Sequence, residues 1–270
     1  MTNTIKAVVF DWAGTMIDFG SCAPVEAMTT AFGQAGITIG AAQVRQYMGL
    51  AKRDHVESIL MSPEVVIAWQ AAHRTHPTSA DGDRIYAALE PLMAESAARY
   101  TTLIDGAADV VAGLRARGIK IGSCTGYTRE MMAGILPRAA AQGYAPDMVV
   151  CAGETVAGRP SPLMLWKNLV ELGIWPAEAC VKIDDADVGV AEGVNAGCWS
   201  VGVAASGNLL GLDVASFEAL DAEDRLARVA HASATLRAAG AHYVIDTVAD
   251  LPGVIVDIES RLARGETPND

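Results

Sequence analysis

Residues 8–15, Val8-Val9-Phe10-Asp11-Trp12-Ala13-Gly14-Thr15, decide the fold of this chain. The apolar run Ala7–Phe10 reads as a buried β-strand, and Asp11 follows at its carboxyl end, just ahead of a glycine turn. Ligands of open α/β sheets bind in the crevice outside the carboxyl ends of the strands. A carboxylate delivered there is placed to act as a phosphoryl-transfer nucleophile, whereas an ordinary strand-terminal Asp would only cap a turn. Gly14 lets the backbone turn without a Cβ, and the Thr15 hydroxyl can hold that turn.

Working outward, apolar runs followed by helical patterns recur at 119–124, Met148–Cys151, 181–184 and Trp199–Val203. That rhythm predicts an α/β fold, a doubly wound, Rossmann-like parallel sheet with crossover helices. A last unit adds a strand at 242–245 and a helix at 248–262, opened by Asp246 or Thr247 as cap. Between 22 and 100 strand signals vanish, and Ala-, Met- and Glu-rich helical stretches take over, interrupted at Pro63, Pro77 and Pro91. The reading is a helical cap domain, 22–100, inserted into a core domain, 1–21 and 101–270. Because the insertion leaves just after the Asp11 loop, it should hang over the carboxyl edge of the first strand as a lid. Residues 265–270 are expected to fray.

Composition limits the partners. With 51% hydrophobic residues in 270, the chain can bury one large core or a main core with a satellite. A formal charge of −12 argues against nucleic acid and against anionic membranes, whose binding draws on clustered Lys and Arg. A small molecule is the expected partner; if it is an anion, the positive charge must be local, from a metal ion, one or two Lys or Arg, or helix N-termini. Cys22, Cys124, Cys151, Cys180 and Cys198 form no C-x-x-C pair and are odd in number, so neither a disulfide framework nor a zinc site is expected. Residues 1–6 lead into the first strand without an apolar signal core, and no apolar run approaches membrane-spanning length, which points to the cytoplasm.

Three further segments fall at predicted strand ends: Ser123-Cys124-Thr125-Gly126-Tyr127, Gly158-Arg159-Pro160 and Lys182-Ile183-Asp184-Asp185. Together with the Asp11 loop they resemble the haloacid dehalogenase superfamily. The resemblance implies that Asp11 is the nucleophile, that Thr125 and Gly126 bind the phosphoryl group, that Arg159 neutralises charge and that Asp185 holds Mg²⁺. Taken singly, each has an ordinary reading: a helix cap, a surface arginine, an acidic turn. Their joint order carries the resemblance.

Phosphatases of that superfamily usually carry a second Asp two residues after the nucleophile, as acid for the leaving alkoxide; here Ala13 stands there. The leaving group should therefore be one that needs no such proton. The segment Met48-Gly49-Leu50-Ala51-Lys52-Arg53-Asp54-His55, taken with the Asp11, Thr125 and Arg159 segments, is similar to the phosphonoacetaldehyde hydrolase family over essentially the whole chain. In that family the matching lysine, here Lys52, forms a Schiff base with the substrate aldehyde, and the protein is a homodimer. An iminium turns the departing carbon of a P–C bond into a neutral enamine, which protonation of carbon cannot do. Lys52 must then be partly neutral, although its reference pKa is about 10.4; desolvation, Arg53 and the metal could each lower it. His55, on the same helical face, could shuttle protons or simply be a structural histidine. Met48, Tyr127 and Cys22 are expected to line the pocket, although some family members carry the cysteine where this chain has Ser21.

By the same resemblance the metal site is Asp11, the Ala13 carbonyl and Asp185, a sparse oxygen set that suits Mg²⁺. Either Asp184 or Asp187 could supply an outer carboxylate. The rival activity is a phosphate-monoester phosphatase on the same fold; a silent phosphate-binding protein is the rival without chemistry.

Overall fold

The computed structural model describes residues 4–97 and 99–270, so the lead-in at residues 1–3 lies outside the described residues. Among the described residues six strands, β1 (Ala7–Phe10), β2 (Lys120–Thr125), β3 (Met148–Cys151), β4 (Cys180–Asp184), β5 (Trp199–Val203) and β6 (Tyr243–Ile245), form one sheet in the order β3-β2-β1-β4-β5-β6. Every pairing is parallel. β1, β4 and β5 are buried along their whole length; β1 accordingly reads as a continuous apolar run, while β4 carries Lys182 and Asp184 within its buried length. β2 starts one residue later than the sequence pattern suggests, because the Ile119 amide is spent on the Leu114 carbonyl; it extends to Thr125, which pairs with Cys151.

The sheet order reverses direction at β1, and such a switch point opens a crevice at the carboxyl edge. Phe10 lies opposite Ser123 on one side and Ile183 on the other, so Asp11 emerges level with the end of β4. The sequence stretch that announced the fold therefore also places its carboxylate at the one point where the sheet splits.

Between β1 and β2 the chain first runs through five helices, α1 (Ala23–Gln34), α2 (Ala41–Arg45), α3 (Lys52–Leu60), α4 (Pro63–His73) and α5 (Ser79–Ala97). Pro63 opens α4 in its first turn and Pro77 lies in the loop before α5, but Pro91 does not interrupt anything: it sits inside α5. Ile85, Leu89 and Met93, buried at helical spacing, hold α5 in the cap core and outweigh the one lost backbone hydrogen bond.

The remaining helices are α6 (Ala107–Ala116), α7 (Arg129–Met132), α8 (Ile135–Ala141), α9 (Leu163–Leu172), α10 (Asp187–Asn195), α11 (Val214–Glu218), α12 (Ala222–Ala238) and α13 (Leu251–Ala263). α11 and α12 each begin at an Asp whose side chain accepts a backbone N–H, Asp213 from Ser216 and Asp221 from Asp224, at 2.7 and 2.8 Å. Before α13, Thr247 is the capping residue of a short 3₁₀ turn, with its amide donating to the Asp250 carboxylate at 3.2 Å. The C-terminal tail, where fraying is expected, carries two contacts to the body: the His242 Nε2 meets the Pro268 carbonyl at 2.7 Å, and Arg261 pairs with Glu266 at 2.7 Å. No helix among the described residues is long and apolar enough to cross a membrane.

Candidate active site

Asp11, Asp184 and Asp185 meet at the switch point, each with one carboxylate oxygen within 4.8 Å of the others, and all three are buried. Gly14 makes this possible: its φ is +82°, and a Cβ there would fall 2.3 Å from the Asp185 Oδ2. The Asp185 Oδ2 accepts the Asn208 amide at 2.6 Å, and the Asp184 Oδ1 accepts the Ala186 amide at 3.1 Å. Burial, with Asp184 adding to it, raises the Asp11 pKa to about 6 against the pull of Arg159 and Lys182. Asp185 is driven up by burial and by both neighbouring carboxylates. Asp184 goes the other way: burial would raise it, but Arg159 and Lys182 win and hold it ionised.

Arg159 spans the cluster. Its Nη1 lies 2.9 Å from the Asp11 Oδ1, its Nη2 lies 3.3 Å from Asp184 and donates to the Cys124 carbonyl at 2.9 Å, and its Nε donates to Glu192 at 3.1 Å. Behind it, fully buried Lys182 approaches Asp184 at 2.7 Å and Glu192 at 3.5 Å. Sequence reading missed both Lys182 and Glu192. The available signal was Lys182 itself, a charge inside the apolar run of β4 that cannot be buried between layers without a partner.

Four buried carboxylates, Asp11, Asp184, Asp185 and Glu192, thus face three buried cations, Arg159, Lys182 and Lys52. With all four carboxylates ionised, one negative charge is left over with Lys52 protonated and two with it neutral. An all-oxygen cluster with that excess fits a hard divalent cation.

The cap supplies the opposite wall. Lys52 is the first residue of α3, and its amide donates to the Gly126 carbonyl at 3.2 Å. Gly126 allows this approach, because a Cβ there would stand 2.5 Å from the Leu50 carbonyl oxygen. The Lys52 ammonium sits 5.2 Å from the Tyr127 ring centre. Burial, helped by Arg159 and opposed by Asp11 and Asp185, lowers its pKa to about 8. Asp11, Ala13, Met48, Lys52, Thr125, Gly126, Tyr127, Arg159 and Asp185 all border one cavity, joined by Ser21, Pro24 and Gly49, which the sequence reading did not include. Its volume is about 20 Å³, against roughly 10–15 Å³ for a single water.

Two expected residues stand outside that cavity. Cys22 immediately precedes α1, with its Sγ 3.7 Å from the Phe19 carbonyl, and Ser21 takes its place on the wall. His55 is buried behind Lys52, its Nε2 fixed by the Val44 carbonyl at 2.7 Å, and burial together with the Lys52 charge lowers its pKa to about 3. Of the two acidic residues left open, Asp184 lies in the cluster, whereas Asp187 is exposed on the first turn of α10.

The sequence profile of the haloacid dehalogenase-like hydrolases matches residues 5–197. The chain is 49% identical over 264 residues to a phosphonoacetaldehyde hydrolase of Paraburkholderia xenovorans, covering 98% of this chain and 99% of that one. It is 47% identical over 268 residues to a phosphonoacetaldehyde hydrolase of Salmonella typhimurium, covering 98% and 100%. Among solved structures, a phosphonoacetaldehyde hydrolase-like protein from Oleispira antarctica superimposes with a TM-score of 0.97 at 42% identity, over 99% of this chain and 97% of that one.

Proposed function

The chain belongs to the haloacid dehalogenase-like hydrolases and, within them, to the phosphonoacetaldehyde hydrolases; on that premise we propose that it hydrolyses phosphonoacetaldehyde to acetaldehyde and phosphate. The observation that carries this reading is Lys52: a buried amine, lowered to about 8, on the same small cavity as Asp11, in a chain with Ala13 where an acid would serve an ester.

The Lys52 amine attacks the aldehyde carbon and water leaves, giving an iminium. Asp11 attacks phosphorus in line while the P–C electron pair moves into the iminium, so an aspartyl phosphate and a neutral enamine form together. Arg159, held by Glu192, faces the phosphonate oxygens with Thr125 and the Gly126 region opposite. Water then cleaves the aspartyl phosphate. Protonation of the enamine carbon and hydrolysis of the resulting imine release acetaldehyde and restore Lys52. His55 stays neutral throughout, so it can accept a hydrogen bond but is a poor proton store. Met48 and Tyr127 keep bulk water from the imine.

Mg²⁺ is the metal we assign to Asp11, Asp185 and the Ala13 carbonyl, with Asp184 alongside; when bound it supplies positive charge to the phosphonate oxygens. We further assign residues 22–100 as the cap and 1–21 with 101–270 as the core. A cavity this small does not admit the substrate, which supports a cap that opens for each turnover. Exposed Trp166, Val170 and Trp175 support a homodimer or another apolar contact, and five free thiols support residence in the cytoplasm.

The deciding experiment is borohydride reduction in the presence of phosphonoacetaldehyde. The expected outcome is irreversible inactivation with an ethyl-sized adduct on Lys52; an adduct elsewhere, or none, together with turnover of simple phosphate esters would move the monoester phosphatase ahead.

A further inference from the structure

Arg45 closes α2 of the cap, yet its guanidinium is spent on the core side of the molecule. Nη1 donates to the Gly20 carbonyl at 2.8 Å and to the Asn208 Oδ1 at 3.1 Å, and Nη2 donates to the Gly211 carbonyl at 2.9 Å. Asn208 returns the contact, its Nδ2 donating to the Arg45 carbonyl at 3.2 Å. The seat is shaped for this side chain: Gly211 has φ +67°, and a Cβ there would lie 2.5 Å from the Arg45 Nε. Asn208 is buried, and its own amide is the group that donates to the Asp185 Oδ2 at 2.6 Å. The loop that carries it, just after β5, also grips the Asp11 turn and the start of the cap crossing: the Ser206 Oγ donates to the Gly14 carbonyl at 2.8 Å, and the Gly20 amide donates to the Ser206 carbonyl at 2.7 Å.

We propose that Arg45 and Asn208 form a closure latch that couples the cap to the metal site, with Asn208 setting the Asp185 carboxylate in its metal-holding orientation only while Arg45 is docked. Both are positioning residues, since neither borders the cavity. Withdrawal of the cap takes Arg45 out of its seat, frees the Asn208 loop and loosens the amide that orients Asp185. Metal grip and cap closure then rise and fall together, and a closed cap completes the electrophilic side of the site at the moment the substrate is enclosed. The proposal rests on the assignment of a divalent metal to the Asp11–Asp185 cluster. Partners that orient a metal ligand are commonly worth about 10- to 100-fold in metal affinity.

The test is calorimetric titration of Mg²⁺ into the full-length, substrate-free enzyme, alongside steady-state kinetics. Arg45→Met should weaken Mg²⁺ binding by about tenfold or more, and Arg45→Lys, which fills the seat with one charge but cannot reach all three oxygens, should lie between it and wild type. Tyr100→Phe serves as control. It cuts a tie between the other cap crossing and the cap, the Tyr100 hydroxyl to Glu26 at 2.9 Å, which is separate from the Asn208 amide that holds Asp185, and should shift KM without moving Mg²⁺ affinity. If Arg45→Met fails to fold by circular dichroism, the ordering of Arg45→Lys against Tyr100→Phe decides. Arg45 variants with wild-type Mg²⁺ affinity and a raised KM would reduce Arg45 to a simple cap tether and overturn the coupling. A wild-type enzyme that takes up no Mg²⁺ would instead remove the metal assignment, and the latch with it.

Discussion

At the scale of single residues, the weight falls on an amine and a missing acid. Guanidinium cannot condense with an aldehyde and stays protonated, so Lys52→Arg should lose turnover by about three orders of magnitude or more while keeping its charge; retention of even a tenth of the rate would exclude the imine. The Lys52 pKa of about 8 sets the direction of the pH profile. The protonated amine is inert, so kcat/KM should fall as pH drops below about 8, approaching tenfold per unit, and level off above it. A profile flat between pH 6.5 and 9 would contradict a required neutral lysine. Ala13→Asp should lower phosphonoacetaldehyde turnover and create no efficient ester hydrolysis, because it adds negative charge beside an anionic substrate and leaves Lys52 in the pocket. Good activity on both substrate classes in a parallel assay would refute that account of position 13.

At the scale of elements, α1 depends on a residue outside it. Asp18 accepts the Cys22 and Ala23 amides, both at 2.9 Å, and so satisfies donors at the start of the first cap helix. Asp18→Ala should cost about 1 kcal/mol by chemical denaturation, and Asp18→Asn, which keeps one of the two acceptors, should lie between it and wild type. Burial raises the Asp18 pKa to about 7 from 3.8, so the folded state holds its proton more tightly. Its contribution is then complete below about pH 4 and lost as pH rises through about 7; Asp18→Asn should flatten that fall, and an unchanged slope would assign it to another group. Strands and cap helices were legible because burial on both faces writes continuous apolar runs, and the helical period writes Ile85, Leu89 and Met93. The latch was not legible: Arg45 and Asn208 are 163 residues apart and share no local pattern. Likewise nothing local separates Asp184 from Asp187. Only the strand end and the helix turn, once folded, send one inward and the other to solvent.

At the scale of the whole molecule, the central strand is the first one synthesised. β1 spans Ala7–Phe10, yet its neighbours are β2 at Lys120–Thr125 and β4 at Cys180–Asp184. A growing chain therefore carries an apolar strand with both edges unpaired until β2 is made and with one edge still unpaired until β4 leaves the ribosome, on the order of ten seconds later at ordinary synthesis rates. Unpaired apolar strands recruit other chains. During that interval the nascent polypeptide is the vulnerable species, and chaperone demand should track chain length rather than final stability. Fragments ending at residue 175 should aggregate, and fragments ending at residue 210, which include β4 and β5, should regain solubility and protease resistance. A soluble, protease-resistant 1–175 fragment would mean that β1 finds temporary cover in the first half of the chain, and that the order in which this sheet is assembled carries no hazard.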